Sequence, residues 1–329
     1  MDDGTLDTTA EWYRRFAEIE APGQSAIYEN WARGVAGDEG MLELLQELPR
    51  PKRQPNLLFA CARLVGSPLT DYPEWSAWVT GHWPEIAAEM RVRATQTNEP
   101  RRCAVLLPVL AQFDGPIALL EVGASAGLCL HPDRYSYSWG GVRLDPTSGP
   151  SAVLLECDVT GDPPLPALMP QIVWRAGLDL NPLDVSDPAD THWLETLIWP
   201  EQTERLARIR AAIEIARRDP ARIVRGDALD GLPALVAEAP ADATLVIVTS
   251  AAIVYLPPDV RARFIDLVGS LPAHWISNEG RGIVPVAAAA VADRVPPTPG
   301  DFLLALDGHP LAWTGPHGQR LEWISPPVS

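Results

Sequence analysis

Three acidic residues, each closing an apolar run and each followed by small residues, carry the most legible chemistry in this sequence. Glu121 closes Ile117-Ala-Leu-Leu and opens Gly123-Ala-Ser125-Ala-Gly127. Asp179 closes Gln171-Ile-Val-Trp-Arg-Ala-Gly-Leu, and Asp227 follows Ala221-Arg-Ile-Val-Arg-Gly. Short apolar runs of this kind predict buried strands. The glycines let the backbone turn sharply and admit a ligand closely. Parallel strands bring such ends to one edge, where α/β sheets bind ligands. A turn that leads into a helix would add free N–H groups there. A carboxylate two positions before Gly123 suits a ligand with a ribose, a cation and an amino-acid head group. It suits a pyrophosphate poorly.

The elements that must position these residues divide the chain in two. Residues 1–112 read as helical, with apolar residues at helical spacing from Thr8 or Thr9 as a cap, and further helices near 24–36, 40–47, 54–65, 74–90 and 99–112. From Ile117 the texture changes to strands alternating with helices, the pattern of a parallel sheet. Strands are expected at 117–122, 171–179, 221–227, 244–249 and 274–278, then a hairpin of 302–306 with 311–313 across Asp307-Gly308, joined by 320–324. A long helix, interrupted near Trp199-Pro200, is expected over 193–217. Residues 133–170, with a Gly140-Gly141 hairpin and a Pro-rich stretch, read as an irregular insertion. The expected domains are 1–112, a helical lid or substrate domain, and 113–329.

Composition narrows the function. At 329 residues the chain is long for one α/β domain. A net charge of −17 argues against nucleic acid as partner, because phosphate contacts need clustered Lys and Arg. A small-molecule substrate is expected. Lys52 is the single lysine and lies in Arg-Pro-Lys-Arg, which disfavours Schiff-base chemistry, and no Gly-Lys-Ser/Thr exists for a nucleotide P-loop. Few lysines beside abundant Ala, Arg and Pro read as the codon usage of a GC-rich bacterium. No run approaches the ~18 apolar residues of a membrane span. The acidic start, Met1-Asp-Asp-Gly-Thr-Leu-Asp, is unlike a signal peptide. Cys61, Cys103, Cys129 and Cys157 lack Cys-x-x-Cys spacing, so reduced thiols in a cytoplasmic protein are expected, with no metal.

Glu121-Val-Gly123-Ala-Ser125-Ala-Gly127 resembles the first motif of class I S-adenosylmethionine-dependent methyltransferases, with Ser125 in place of the middle glycine. Gly177-Leu-Asp179-Leu180-Asn181-Pro182 resembles their second motif, although Asp179 follows Gly127 by 52 positions against the ~20 of the simple unit. The resemblance implies that Asp179 takes both ribose hydroxyls, with Leu180 beside the adenine. Gly226-Asp227-Ala228-Leu229 resembles the segment whose aspartate accepts from the adenine amino group. The implied fold is a Rossmann-like, seven-stranded, mostly parallel sheet with a C-terminal antiparallel hairpin and an N-terminal all-helical domain. The implied cofactor is S-adenosylmethionine. Thr249–Leu256 stands where these enzymes carry a catalytic loop, so Ser250 and Tyr255 are candidates for substrate contact. The Asp/Asn-Pro-Pro-Tyr string of amino-methylating enzymes is absent, and an oxygen acceptor is expected. Methyl transfer depends chiefly on positioning and desolvation; where a base is needed, Glu279 and His274 are candidates. In the helical part, Asn98, Glu99 and Arg101 read first as helix capping and second as substrate contacts from a lid.

Two other readings use the same residues. Gly-Ala-Ser125-Ala-Gly also spells a hydrolase nucleophile elbow, with Asp227 and His274 in the right order behind it. A chain that binds the cofactor without turnover and regulates a partner is the other. A redox reading is weaker, since the glycines do not make Gly-x-Gly-x-x-Gly. Arg53-Gln-Pro-Asn-Leu-Leu, Thr97-Asn-Glu, Glu121–Leu128, Gly177-Leu-Asp-x-Asn-Pro-Leu-Asp and Trp199-Pro-Glu-Gln together resemble a bacterial family without assigned activity. It is numbered twenty-three thirty-two among domains of unknown function and is frequent in actinobacteria.

Overall fold

A computed structural model describes residues 6–325; the acidic start read as unlike a signal peptide falls largely outside them. The chain forms two compact units. One holds the chain up to Thr97 together with Pro188–Ala207, and the other holds Asn98–Asp187 and the chain from Arg208 onward. The expected boundary at 112/113 therefore falls inside the second unit.

The first unit is helical: Leu6–Arg15, Ala26–Val35, Glu39–Gln46, Pro55–Val65, Tyr72–Gly81, Trp83–Val92 and Pro188–Thr196. Ser25 and Asp38 cap their helices by accepting from Tyr28 and Met41 N–H. The single helix expected near 74–90 is two, because Pro84 follows Gly81-His82 and starts a new first turn. Aromatic rings fill the centre. Phe59 touches Tyr13, Phe16, Tyr28, Trp31 and Trp75, and Trp31 stacks on Trp75 with centroids 4.4 Å apart. Two polar motifs meet here: Trp199 Nε1 donates to Asn56 Oδ1 at 3.0 Å, and Glu201 accepts from the Ser25 hydroxyl and Ile27 N–H. The tryptophan-proline-glutamate string and the asparagine after Pro55 are thus structural partners.

The second unit is built on eleven strands: β1 (Pro116–Val122), β2 (Ser136–Trp139), β3 (Val142–Leu144), β4 (Leu154–Thr160), β5 (Gln171–Asp179), β6 (Arg222–Arg225), β7 (Thr244–Ser250), β8 (His274–Gly280), β9 (Phe302–Leu306), β10 (His309–Thr314) and β11 (Arg320–Trp323). Their order across the sheet is β3-β2-β4-β11-β10-β9-β8-β7-β1-β5-β6. The stretch β8-β7-β1-β5-β6 is parallel throughout, and β9 and β10 join antiparallel. The expected parallel run and terminal hairpin are present, but the sheet has eleven strands where seven were expected. One extra strand is β11, expected beside the hairpin, and the other three come from residues 133–170, which are not a loose excursion. Their hairpin β2–β3 and strand β4 extend the ladder, β4 pairing parallel with β11.

Apolar faces explain how the sheet is held. On one face Leu119 and Val248 meet the helix Cys103–Leu110, all eight residues of which are buried. On the other, Leu120, Leu178 and Ile247 pack with Leu232 and Phe264 from the helices Ala228–Val236 and Pro258–Ser270. Each such side chain contributes about 1.5–3 kcal/mol on burial. No helix among the described residues is long and apolar enough to cross a membrane.

Candidate functional site

The strands carrying Glu121 and Asp179, and the one leading to Asp227, are parallel neighbours, so all three acids stand at one edge. Between the first two lies the glycine turn. Gly123, Ser125 and Gly127 all adopt positive φ, +81°, +51° and +70°. Ser125 has no steric licence for this, and two clamps hold it there. Its N–H donates to Asp179 Oδ2 at 2.8 Å, and its Oγ accepts from Asn98 Nδ2 at 2.6 Å. Asn98 Oδ1 then accepts from Ala126 N–H at 3.0 Å. Gly123 N–H goes to Leu178 O and Gly127 N–H to Ala124 O. The N–H groups of residues 123–127 are thus all taken up by protein acceptors.

The glycines also have packing reasons. A Cβ on Gly123 would lie 2.5 Å from Ala252 Cβ, and one on Gly127 would lie 2.8 Å from Ile223 Cδ1. The helix expected after the turn does not form. Short 3-10 turns at Leu128–Leu130 and Pro132–Arg134 replace it, since Pro132 removes a donor N–H as soon as a helix would begin. No α-helix begins between Gly127 and β2.

Glu121 is buried, and its Oε2 has no hydrogen-bond partner. It shares a tight apolar nest with Leu106, Leu110, Cys103 and Cys129 that leaves no room for a water. Burial pushes its carboxyl well above the usual range; Cys129 and Asp179 add to this, and Arg102 opposes it. Asp179 Oδ1 caps Asn181 N–H at 2.7 Å, so each of its oxygens already has one backbone donor and keeps one lone pair. Asp227 caps the next helix through Leu229 N–H, with Ala228 buried behind it. Leu180 is exposed.

On the other side of β1, the ends of β7 and β8 form a buried polar network. Asn278 Nδ2 donates to Ser250 Oγ at 3.2 Å, and Thr314 donates to Asn278 Oδ1 at 2.6 Å. Glu279 is only 1% exposed, with Oε1 accepting from Ala252 and Ile253 N–H at 3.0 and 3.3 Å. Its Oε2 is buried without a hydrogen bond of ordinary geometry, beside the Thr249 hydroxyl. Burial raises this carboxyl to about 7, against the two N–H groups and Arg102. Arg102 sits between the acids, donating from Nη1 to Ser250 O at 2.8 Å and from Nε to Pro316 O at 3.0 Å. Arg102, Asn278 and Thr314 were not singled out from the sequence; Arg102 stands before an all-apolar helix, the one signal that it would be drawn inward. Tyr255, on the loop after β7, is 81% exposed.

Asn98 and Glu99 belong to the sheet unit. Glu99 accepts from Arg101 N–H at 3.0 Å and pairs with Arg208 at 3.1 Å. Arg101 is half-buried with an unpartnered Nε. His274 is not brought to this edge. It opens β8, about 16 Å from Glu279 at ~3.3 Å per residue, and pairs with Asp307 at 2.7 Å. Strand polarity is the reason, and it removes His274 as a base here. It also removes the hydrolase triad, whose Ser125 and His274 lie at opposite edges. Among the described residues no group of three or more His, Cys, Asp or Glu could hold a metal ion.

Compared with the curated proteins and with the solved structures, the chain finds no match in either. A family model does match, over residues 10–323, and its description is "Uncharacterized protein conserved in bacteria". That span takes in both units, the glycine turn and every polar motif described above, and the chain belongs to this bacterial family, DUF2332.

Proposed function

We propose that this chain binds S-adenosylmethionine at the carboxyl edge of β1, β5 and β6 and transfers its methyl group to an oxygen of a small molecule. One observation carries the reading: Glu121, Asp179 and Asp227 stand in order at adjacent parallel strand ends around a glycine turn whose N–H groups are already used. The donor set fits such a ligand. Asp179, with a lone pair left on each oxygen, would hold a pair of ribose hydroxyls, and Asp227 would take the base's amino group. When bound there, the sulfonium would supply an electrophilic methyl for an acceptor oxygen, leaving as the neutral thioether. The protein orients the acceptor beside Ser250 and excludes water. Glu279, a carboxyl near neutrality with one unengaged oxygen, takes the acceptor's proton.

Calorimetry with S-adenosylhomocysteine tests the binding step. Asp179→Ala should cost about 1.5–3 kcal/mol per lost hydrogen bond. A folded wild type that gives no heat at millimolar ligand removes the reading. Turnover of cofactor over bacterial metabolite fractions then separates an enzyme from a chain that only binds.

A further inference from the structure

Three arginines of the sheet unit with little or moderate exposure pair with carboxylates. Arg208 is matched by Glu99, Arg175 by Asp133 and Arg320 by Asp301. Arg102 is the most deeply buried arginine among the described residues, 5% exposed, and it has no such pair. No carboxylate lies within ion-pair distance of it among the described residues, and its two hydrogen bonds, both to carbonyls, leave Nη2 unengaged. A buried cation without a counter-charge is costly, by several kcal/mol in typical interiors. The acids nearest in charge do not cancel it, since burial holds Glu121 toward its neutral form and brings Glu279 to about 7. The guanidinium is fixed to the end of β7, between the ends of β1 and β8, at the edge where parallel sheets receive ligands.

We infer that Arg102 is the anchor for a ligand carboxylate, gripped through Nη2 at the end of β7. Two ligands carry that chemistry: the amino-acid head of the cofactor, which rests on the function proposed above, and the acceptor. The guanidinium acts by charge and by a planar hydrogen-bonding face, so lysine should replace it only in part.

The test uses the full chain as wild type, Arg102→Gln and Arg102→Lys, each checked for cooperative melting. Acetate, at chloride-matched ionic strength, should raise the wild-type melting midpoint. It should do so weakly in Arg102→Lys and not at all in Arg102→Gln. S-adenosylhomocysteine and 5′-methylthioadenosine, which lacks the amino-acid head, are then titrated by calorimetry. If the cofactor brings the carboxylate, Arg102→Gln weakens S-adenosylhomocysteine at least about tenfold and leaves 5′-methylthioadenosine unchanged. If the acceptor brings it, both nucleosides bind the variant as they bind wild type, and only the acetate effect is lost. Should neither nucleoside bind wild type, the methyltransferase reading falls and the acetate arm alone decides Arg102. The inference is overturned if acetate acts equally on wild type and Arg102→Gln, or on neither, while S-adenosylhomocysteine affinity is unchanged. If Arg102→Gln does not fold, the same comparison is read from Arg102→Lys, where an undiminished acetate effect overturns it.

Discussion

Glu279 and Asn98 show how much a single polar side chain settles at this edge. The Glu279 carboxyl sits at about 7 in the fold against an ordinary value of 4.5, so the folded chain holds the proton over that interval and the unfolded chain does not. Its contribution to stability is whole below about pH 4.5 and is lost as pH rises through about 7. Glutamine keeps an acceptor for Ala252 and Ile253 N–H and removes the titration. Glu279→Gln should therefore gain on wild type by up to roughly 3 kcal/mol between about pH 5 and pH 8, read from urea unfolding at both. Equal pH dependence in the two proteins would clear Glu279 of this role. Asn98 spends both ends of its amide on Ser125 and Ala126. Asn98→Ala should cost about 1–3 kcal/mol in stability. Amide exchange at Ser125–Gly127 should rise with it, while Thr97→Ala leaves that exchange unchanged.

At the scale of elements, the glycine turn is tight because strand and turn residues interlock. Gly127→Ala combines a positive φ of +70° with a Cβ placed 2.8 Å from Ile223 Cδ1. About 1–3 kcal/mol of destabilisation should follow. Adding Ile223→Val removes the clashing methyl and should recover part of that loss, leaving the backbone share; denaturation midpoints of the single and double variants separate the two. The same elements show what a linear reading can reach. β1, β5, β6, β7, β8 and the hairpin were legible because each is an apolar run bounded by turn residues, and Glu121, Asp179 and Asp227 fell at or just past strand ends by simple counting. β4 was not, although Leu154–Thr160 alternates exposed and buried residues as a half-buried strand does, because the Pro-rich stretches around it mask a short run whose partners β2 and β11 lie elsewhere in the sequence. The clamp of Asn98 on Ser125 and the pairing of Glu99 with Arg208 join residues far apart in sequence, so no local pattern announces them. The misplacement of His274 was avoidable, since it begins the run that Glu279 ends.

For the whole molecule, the boundary that matters is not the change of texture near residue 113. The helix Cys103–Leu110 is buried along its length, and Asn98 reaches the turn, so the sheet unit depends on residues that a texture boundary would discard. A fragment of residues 113–329 should lack a cooperative melt by circular dichroism, whereas the full chain should show one; a cooperative fragment would show that the buried helix is dispensable. The strand order has a further consequence for how this protein meets its own copies. The ladder ends on one side with β3, three residues long and carrying Arg143, and on the other with β6, four residues long, which begins with Arg222 and ends with Arg225. Outer strands this brief offer few open backbone groups, and their exposed arginines Arg143 and Arg222 are held by Asp145 and Glu238. The sheet thus leaves little open ladder at either end for a second copy to continue.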